Sequence, residues 1–381
     1  MSSFGSLSET ACARRRRRPI GRGPLVADVG DSSPYSRWAP LLLVGIAALI
    51  IVSRMALGTQ FGFDYHGIWR AGQQILAGHS PYPVPDPHRL LVAGNAFIVP
   101  PLLGVLSIPF SLLPFSAALP LWNVVSACAF AAGLGIVGVR DGRVYLLAAC
   151  SFPFMSSQIM GQPDGLFALA AAVAWRYRDS WPGALAVGVL IAAKLLAWPL
   201  LLWLLITRRI RLSLIALASA IALLLLSWAP IGFKGMVGYP RLLAADAQAF
   251  ETRSHSVVAL AMRLGIPEGL STGLAITVAI AVAFAVVRAA HGSDQGWFAA
   301  AITRGLLVSP ILWSHYLVLL LIPLAISHPR FDWVWLLAGT AFVLSPIEPA
   351  RGWQIALVLV IVGTIAVMSG SGARLKSHAA R

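Results

Sequence analysis

Charged residues and cysteines are scarce in this sequence. Asp, Glu, Lys and Arg together make up 11% of its 381 residues, whereas 58% are hydrophobic and the mean hydropathy is +0.79. This composition excludes an ordinary soluble globular protein and is typical of a chain that crosses a membrane many times. The three cysteines, Cys12, Cys128 and Cys150, have no spacing that predicts a disulfide framework or a metal site, so we interpret them as packing residues.

The short motifs of soluble enzymes are also missing. The sequence contains no Walker A loop, no GxGxxG motif after a strand, no HExxH motif and no nucleophile elbow. The two candidate acids, Asp64 and Asp164, lack the neighbouring His or carboxylate residues that would indicate a metal site. We therefore predict neither a bound metal nor another cofactor.

Basic residues outnumber acidic ones by 29 to 14, which gives a formal charge of +15. They form short clusters at the ends of apolar runs rather than one basic module, so they indicate membrane topology and not a nucleic-acid partner. Arg14 to Arg18 precede the first apolar run without a cleavage site, which predicts a disordered cytoplasmic tail over 1–37 that is attracted to anionic lipids. A transmembrane domain over 38–369 and a second cytoplasmic tail over 370–381 complete the predicted organisation.

The apolar runs leave room for about 12 spans of about 20 residues each, so we predict an all-α polytopic membrane protein. Run 97–115 contains four prolines, which make a regular span costly, and we interpret it as an interfacial helix. Run 182–206 begins and ends beside arginines that favour the cytoplasm, which predicts two short helices that turn at Lys194 to Pro199. The other predicted spans are 38–57, 117–139, 144–159, 165–175, 212–230, 269–288, 296–312, 315–327, 332–347 and 353–369, and 231–268 is predicted as a second external segment.

The stretch 61–82 directly follows the first predicted span. The spacing of Asp64, Ile68 and Ile75 predicts a short helix along the membrane surface, with the Asp64 carboxylate facing a cavity. An aspartate near a helix start can instead cap free backbone N–H groups, and the spacing alone favours neither alternative.

Ionisable residues inside or beside spans are costly, so each is a candidate functional residue. Plainer roles compete, since Lys194 can extend to the interface, His315 can lie in an aromatic belt and Asp164 can cap a helix. An external carboxylate beside cations suits transfer from a phosphate-linked donor, because the cations neutralise the leaving phosphate while the carboxylate takes a proton. The predicted topology gathers on the external side Asp64, His66, Arg70, Gln162, Asp164, Lys194 and His315.

Several motifs follow one another in a recognisable order: Asp64-Tyr65, Trp69, Ser80-Pro81-Tyr82, Pro100-Pro101-Leu102, Gly161-Gln162, Lys194, Ser309-Pro310, Trp313 and His315-Tyr316. With this order the chain resembles glycosyltransferase family 87 from about residue 58 to about residue 327. This family comprises polyprenyl-phosphate-mannose-dependent mannosyltransferases of the glycosyltransferase C superfamily. The sequence departs from the family pattern at Val99, Asp164 and Pro199 and in Ser254-His255-Ser256, where the family has Asn-Gln-Ser.

The resemblance implies a glycosyltransferase C fold with interfacial helices in the first external loop. It implies that Asp64 is the general base of an inverting transfer and that His315 contacts the donor phosphate or the acceptor. The further residues that it makes candidates for binding donor or acceptor are Tyr65, Trp69, Gln162, Asp164, Lys194, Trp313 and Tyr316.

The expected function is transfer of a sugar, in the first place mannose, from a polyprenyl phosphate donor to a lipid-linked glycan acceptor. The expected location is the plasma membrane, with both termini cytoplasmic, the active site extracytoplasmic and membrane lipids as partners. A transporter or lipid flippase is the alternative from another class, because broken helices and buried charges also mark substrate pathways. The absence of an evident internal repeat favours the enzyme, and the intact Asp64 disfavours an inactive scaffold.

Overall fold

The computed structural model describes residues 61–343 and 351–371, together with seven single positions between 38 and 53. The predicted tail over 1–37, most of the first predicted span and residues 372–381 lie outside this part. Within the described residues every regular element is helical, which confirms the predicted all-α fold.

Seventeen α-helices are numbered here in chain order, and four short 3₁₀ helices connect some of them. The α-helices are α1 Phe63–Leu76, α2 Pro87–Ala93, α3 Pro101–Ser111, α4 Phe115–Ile136, α5 Gly142–Cys150, α6 Phe152–Met160, α7 Asp164–Arg176, α8 Trp181–Ala193, α9 Pro199–Ile206, α10 Ile210–Trp228, α11 Tyr239–Phe250, α12 Val257–Arg263, α13 Glu268–Ala289, α14 Asp294–Val308, α15 Leu321–Ser327, α16 Val334–Val343 and α17 Gly352–Ser371. The 3₁₀ helices are Leu195–Ala197, Ala229–Ile231, Glu251–Arg253 and Ser314–Leu320.

Four segments of the described chain are long and apolar enough to cross a membrane: Phe115–Ile136, Ile210–Ile231, Glu268–Ala289 and Gly352–Gly370. The other predicted spans that lie within the described residues are shorter or interrupted, whereas most of 38–57 and the end of 332–347 lie outside these residues. The predicted span 144–159 is two helices of 9 residues that meet at Ser151, just before Pro153. Each rises about 14 Å, roughly half of a hydrocarbon core of about 30 Å, because an α-helix rises about 1.5 Å per residue.

The proline-rich run 97–115 contains the 11-residue helix α3, which is too short to span a bilayer. It packs along α1 through two serine hydroxyls. Ser107 Oγ donates to the Ile68 carbonyl at 3.0 Å, and Ser111 Oγ donates to the Trp69 carbonyl at 2.8 Å. The run is therefore a short helix attached to α1, as the prolines predicted.

The two ends of the segment 181–206 meet, which confirms the predicted helical hairpin. Arg209 Nε, just after α9, lies 2.7 Å from an Asp179 carboxylate oxygen just before α8. Arg178 and Arg209 both contact the Asp294 carboxylate at 2.8 Å. We call this cluster, Arg178, Asp179, Arg209 and Asp294, the arginine end; the segment Lys194 to Pro199, which we call the Lys194 turn, lies at the other end of the hairpin.

Small residues line the contacts of α7 with its neighbours. Helix α7 packs between α4 and α8 and presents Ala168, Ala171 and Ala172, which are fully buried. Small side chains allow helix axes to approach closely where no water drives their association. Helices α10 and α13 instead leave Leu214 and Phe284 exposed, as expected of surfaces that face lipid.

The interpretation of the cysteines as packing residues is wrong for two of them. Cys128 and Cys150 are exposed on the surface of the described chain, and Cys12 lies outside the described residues. Both exposed thiols occupy apolar helices, where a cysteine behaves as a small apolar residue towards lipid as well as towards protein.

Candidate active site

Asp64 lies in the first turn of α1 but does not cap it. The residue before the helix is Gly62, in the left-handed conformation with φ 75°, and no side chain accepts a capping hydrogen bond there. The Asp64 carboxylate instead accepts a hydrogen bond of 2.8 Å from the side-chain amide of Gln162. The capping alternative is therefore wrong, and the carboxylate is oriented across the molecule towards the start of α7.

The segment Gly161 to Asp164 carries the partner of Asp64. Gly161 ends α6 with φ 71°, and a Cβ atom on it would lie 2.5 Å from the Tyr65 Cβ, so only glycine allows α1 to approach. The Gly161 carbonyl accepts a hydrogen bond of 2.9 Å from the Trp122 indole. These contacts fix Gln162 beside α1.

Asp164 is the first residue of α7, and its side chain does not cap the helix either. It is fully buried, and one carboxylate oxygen lies 3.5 Å from Lys194 Nζ. A buried charge of this kind is tolerated when an opposite charge compensates it. The proposed cap of α7 by Asp164 is therefore wrong, and its contact is with a cation.

Lys194 lies where α8 ends, with extended backbone angles that start the Lys194 turn. Only 8% of the residue is exposed, so its ammonium does not extend to an interface. Nζ lies 3.2 Å from the centroid of the Tyr316 ring and 5.5 Å from that of Phe167. An aromatic face attracts a cation, so the carboxylate and the two rings hold the ammonium inside the protein.

His315 belongs to the 3₁₀ helix Ser314–Leu320 and is 4% exposed, so it does not lie in an outer aromatic belt. Its ring packs at 4.8 Å against that of Tyr316, the residue that also covers Lys194. Its Nε2 atom is buried and has no hydrogen-bond partner among the described residues. A buried imidazole nitrogen without a partner is unusual and marks a position where a ligand can supply one.

Four separate stretches of chain thus converge. We call the group formed by Asp64, Gln162, Asp164, Lys194, His315 and Tyr316 the Asp64 site. Burial raises the pKa of the Asp64 carboxyl to about 6; the negative charge of Asp164 adds to the shift, while the Gln162 hydrogen bond and the Lys194 charge oppose it. A carboxylate with a pKa near neutrality is a better base than an ordinary aspartate and is still mainly ionised at pH 7.

Three of the predicted binding residues lie around this group rather than in it. Tyr65 is fully buried with its ring stacked at 5.1 Å on Trp122, and its hydroxyl has no partner in the described part of the chain. Trp69 donates a hydrogen bond of 3.2 Å to the Leu113 carbonyl and packs on Phe115. It is five residues from Asp64, about 140° around the helix, so the two side chains leave α1 in different directions.

Trp313, the third of them, contacts the second predicted external segment. Its half-buried ring lies 6.0 Å from that of Phe250 at the end of α11. Two further ionisable residues of α1 do not join the group: His66 is half-buried, as Asp64 is, and Arg70 is exposed. Across the described ranges 61–343 and 351–371, no three His, Cys, Asp or Glu residues are placed to hold a metal ion.

His255 is a candidate that the sequence alone did not single out. Its main-chain N–H donates to the Leu312 carbonyl at 2.9 Å, and Ser254 Oγ donates to the Pro310 carbonyl at 3.4 Å, so this segment lies beside the chain that leads to His315. His255 is 1% exposed, and neither ring nitrogen has a hydrogen-bond partner within the described residues. The only signal in the sequence was the polar Ser254-His255-Ser256 triplet.

Burial lowers the pKa of His255 to about 4, and the nearby Leu312 carbonyl opposes this shift only in part. The ring is therefore neutral at pH 7. It lies near enough to His315 that protonation of one ring would disfavour protonation of the other. The site thus contains two buried imidazoles with free hydrogen-bonding capacity.

The family model of glycosyltransferase family 87 matches residues 97–310, which is more than half of the chain. The chain belongs to glycosyltransferase family 87. It is therefore a membrane glycosyltransferase, and the resemblance found in its motifs is confirmed. The matched family 87 region contains Gln162, Asp164, Lys194 and His255, while Asp64 and His315 lie on either side of it. Comparison with curated proteins and with solved structures found no match.

Proposed function

We propose that this family 87 protein transfers a sugar, mannose in the first place, from a polyprenyl phosphate carrier to a lipid-linked glycan acceptor. The observation that supports this most directly is the Asp64 carboxylate, hydrogen-bonded to Gln162 in the same site as Lys194 and His315. A base beside a cation and an imidazole is the set of groups that sugar transfer from a phosphate needs.

In the proposed reaction Asp64 takes the proton of an acceptor hydroxyl while the oxygen of that hydroxyl attacks C1 of the sugar. The bond between C1 and the phosphate oxygen breaks, and its electron pair stays on the phosphate. A single displacement of this kind inverts the configuration at C1. The Gln162 amide keeps the Asp64 carboxylate in one orientation, which matters because proton transfer depends on heavy-atom distances of about 2.6–3.2 Å.

Lys194 supplies positive charge for the departing phosphate. Its ammonium already contacts Asp164 and the Tyr316 ring, so it is held in place before any ligand arrives. Preorganised charge of this sort stabilises a transition state without the cost of reorienting groups during the reaction. Asp164 is thus proposed as a positioning residue for Lys194.

The two histidines are proposed to contact the same ligands. Neutral imidazole offers one N–H donor and one acceptor nitrogen, which suits phosphate oxygens and sugar hydroxyls alike. His315 lies next to Lys194 through Tyr316, so it is proposed to contact the donor phosphate or the acceptor hydroxyl. His255 lies near His315 and is proposed to bind another part of either substrate.

The proposed topology is of the glycosyltransferase C type, with about 12 membrane elements, several of them broken. The arginine end is proposed to face the cytoplasm, because Arg and Lys are enriched on that side of membrane proteins. The Asp64 site then opens to the extracytoplasmic face, with α1 to α3 in the first external loop and α11 and α12 in the second. Both termini are cytoplasmic in this proposal.

The test is turnover by purified protein in proteoliposomes that contain polyprenyl-phosphate-mannose and candidate lipid-linked glycan acceptors, with polyprenyl-phosphate-glucose as the competing donor. Asp64→Asn is expected to abolish transfer, and Glu268→Gln, which changes an exposed carboxylate at the start of α13, is expected to leave it unchanged. Unaltered turnover by Asp64→Asn would contradict the assignment of the base. Movement of the donor lipid across the bilayer without sugar transfer would instead support the transporter alternative.

A further inference from the structure

Arg304 lies inside a helix of the bundle and forms no ion pair with any carboxylate of the described residues. It lies in α14, ten residues after Asp294, so the two are about 15 Å apart along the helix axis. That distance keeps it away from the carboxylates of the arginine end. Its Nε atom is buried without a hydrogen-bond partner in the described chain.

The charge of Arg304 is therefore not compensated within residues 61–343 and 351–371. At the arginine end, by contrast, Arg178 and Arg209 share the Asp294 carboxylate. Asp164, the fully buried acid of the Asp64 site, is in contact with Lys194. An arginine among the helices of a membrane protein is costly, and such residues normally pair or mark a binding site.

The surroundings of Arg304 indicate where an anion could approach. Its guanidinium carbon lies 5.1 Å from the centroid of the Trp198 ring, which belongs to the Lys194 turn. Gly305, the next residue, lies against the Leu196 carbonyl so closely that a Cβ atom would overlap it. Helix α14 is thus pressed against the turn, and Arg304 is held beside it.

The ring of Trp198 faces outwards. Trp198 is 41% exposed and Leu195, on the same turn, is 37% exposed, whereas Lys194 is only 8% exposed. The Lys194 turn therefore has a cation on each side. Lys194 points into the protein, and Arg304 of α14 lies against the exposed side of the turn, which carries Leu195 and Trp198. An apolar surface with an arginine and a tryptophan at its edge fits a lipid whose chain covers the apolar residues and whose headgroup is anionic.

We propose that Arg304 and Trp198 bind the phosphate group of a membrane lipid at the exposed flank of the Lys194 turn. The planar guanidinium can donate two parallel hydrogen bonds to a phosphate, which lysine cannot do. The phosphate supplies the negative charge that the described chain does not, while the indole ring covers the other side of the guanidinium. The lipid is either the polyprenyl phosphate carrier, in which case the inference rests on the proposed function, or an anionic phospholipid, in which case it does not.

Binding to purified protein in neutral detergent distinguishes these sources, and native mass spectrometry can count the retained lipids. The probes are polyprenyl phosphate without a sugar, phosphatidylglycerol, and polyprenol without a phosphate. The variants are Arg304→Gln, Arg304→Lys and Trp198→Ala. Arg176→Gln is the matched control, since Arg176 lies 5.9 Å from the ring of Tyr177 in an exposed arginine–aromatic pair at the far end of α7.

Arg304→Gln is expected to weaken binding of a phosphate lipid about tenfold or more, because a charge-assisted hydrogen bond is worth about 1.5–3 kcal/mol. Arg304→Lys is expected to weaken it less, and Arg176→Gln not at all. If Arg304→Gln loses binding of polyprenyl phosphate only, the lipid at this site is the polyprenyl phosphate carrier. If it loses binding of phosphatidylglycerol, the lipid is a structural phospholipid. Polyprenol without its phosphate is expected to bind equally to all the variants at Arg304.

Unchanged binding of both phosphate lipids by Arg304→Gln would overturn the proposal. If Arg304→Gln does not fold, the same comparison is made with Arg304→Lys and Trp198→Ala, and unchanged binding by both has the same meaning. The readout is independent of catalysis because no sugar is present. Failure of the proposed function would show as absent transfer by the wild-type protein, and it would leave the phospholipid result intact.

Discussion

The side-chain amide of Gln162 donates a hydrogen bond of 2.8 Å to the carboxylate of Asp64, across 98 positions of sequence. A hydrogen bond to the charged form of a carboxylate lowers its pKa. In Gln162→Ala we therefore expect the pKa of Asp64 to rise above about 6 and the acidic limb of the activity profile to move to higher pH. We also expect turnover at neutral pH to fall about tenfold or more, since positioned general base catalysis contributes about 10²–10⁴-fold. The control is Gln74→Ala, at an exposed position of α1, the helix that carries Asp64. It should leave the pH profile and the turnover unchanged.

The wild-type protein is expected to lose activity on acidification. Asp64 must be ionised to accept a proton, and burial raises its pKa to about 6. The value of kcat/KM should therefore fall about tenfold per pH unit below 6 and level off above it. Initial rates between pH 4.5 and 8 check this, and a limb near the ordinary pKa of aspartate, about 3.9, would contradict it.

Lys194 and Asp164 are expected to behave as a coupled pair. Lys194→Gln leaves a buried carboxylate without its cation, and breaking a buried ion pair in this way typically costs about 3–5 kcal/mol. Removing both charges, in Lys194→Gln with Asp164→Asn, should restore much of the thermal stability. Sugar transfer should stay low in both proteins, because the double variant still lacks the cation that we propose to bind the phosphate. A double variant that recovers activity as well as stability would show that Lys194 has only a structural role.

His255 gives a test that separates hydrogen bonding from packing. His255→Gln keeps a donor and an acceptor in the buried position, whereas His255→Leu keeps only the volume. We expect the leucine variant to raise KM for one of the two substrates about tenfold and the glutamine variant to raise it less, because an unpaired polar group on the ligand costs about 1–3 kcal/mol. His88→Gln on exposed α2 is the control. If both His255 variants have the same KM values as the His88→Gln control, His255 does not contact either substrate.

Asp246 in α11 is expected to destabilise the protein at alkaline pH. It is 6% exposed, and burial raises its pKa to about 7. The folded state therefore holds a proton more tightly than the unfolded chain does between about pH 4 and pH 7, so stability is lost as the pH rises through this window. Asp246→Asn should raise the melting temperature at pH 8 and change it little at pH 4, with a shift of about 1 °C for each kcal/mol in a chain of this length. Equal shifts at the two pH values would show that ionisation is not the cause.

Features that depend on local composition could be read from the sequence. The prolines of 97–115 indicated a non-spanning helix, and α3 is 11 residues long. Arginines on both sides of 182–206 indicated a hairpin, and Arg209 contacts Asp179 at its ends. The number of spans could not be read in the same way, because hydropathy reports how apolar a run is and not whether its helix is continuous. The interruption at Ser151, before Pro153, is the example.

Features that depend on contacts between distant segments could not be read from it. Whether Asp64 caps α1 or faces the site was open on spacing alone, and the contact with Gln162 decides it. His255 and His315 are brought together because the segment Ser254–His255 bonds to the carbonyls of Pro310 and Leu312. No pattern in the sequence predicts these contacts. The contact of Arg304 with Trp198 joins α14 to the Lys194 turn, more than 100 positions earlier in the sequence. In each case side-chain packing, which periodicity does not encode, determines the chemistry.

The contacts that hold α1 also determine when the site can form while the protein is being synthesised. The Gly62 N–H donates to the Ile159 carbonyl at 2.8 Å, and Gly161 lies against Tyr65, so the start of α1 depends on residues made much later. During synthesis α1 leaves the ribosome long before these partners exist. Asp64 therefore reaches its final position only after α6 and the loop that follows have been made. A nascent chain that stops before residue 159 contains Asp64 but not the site around it.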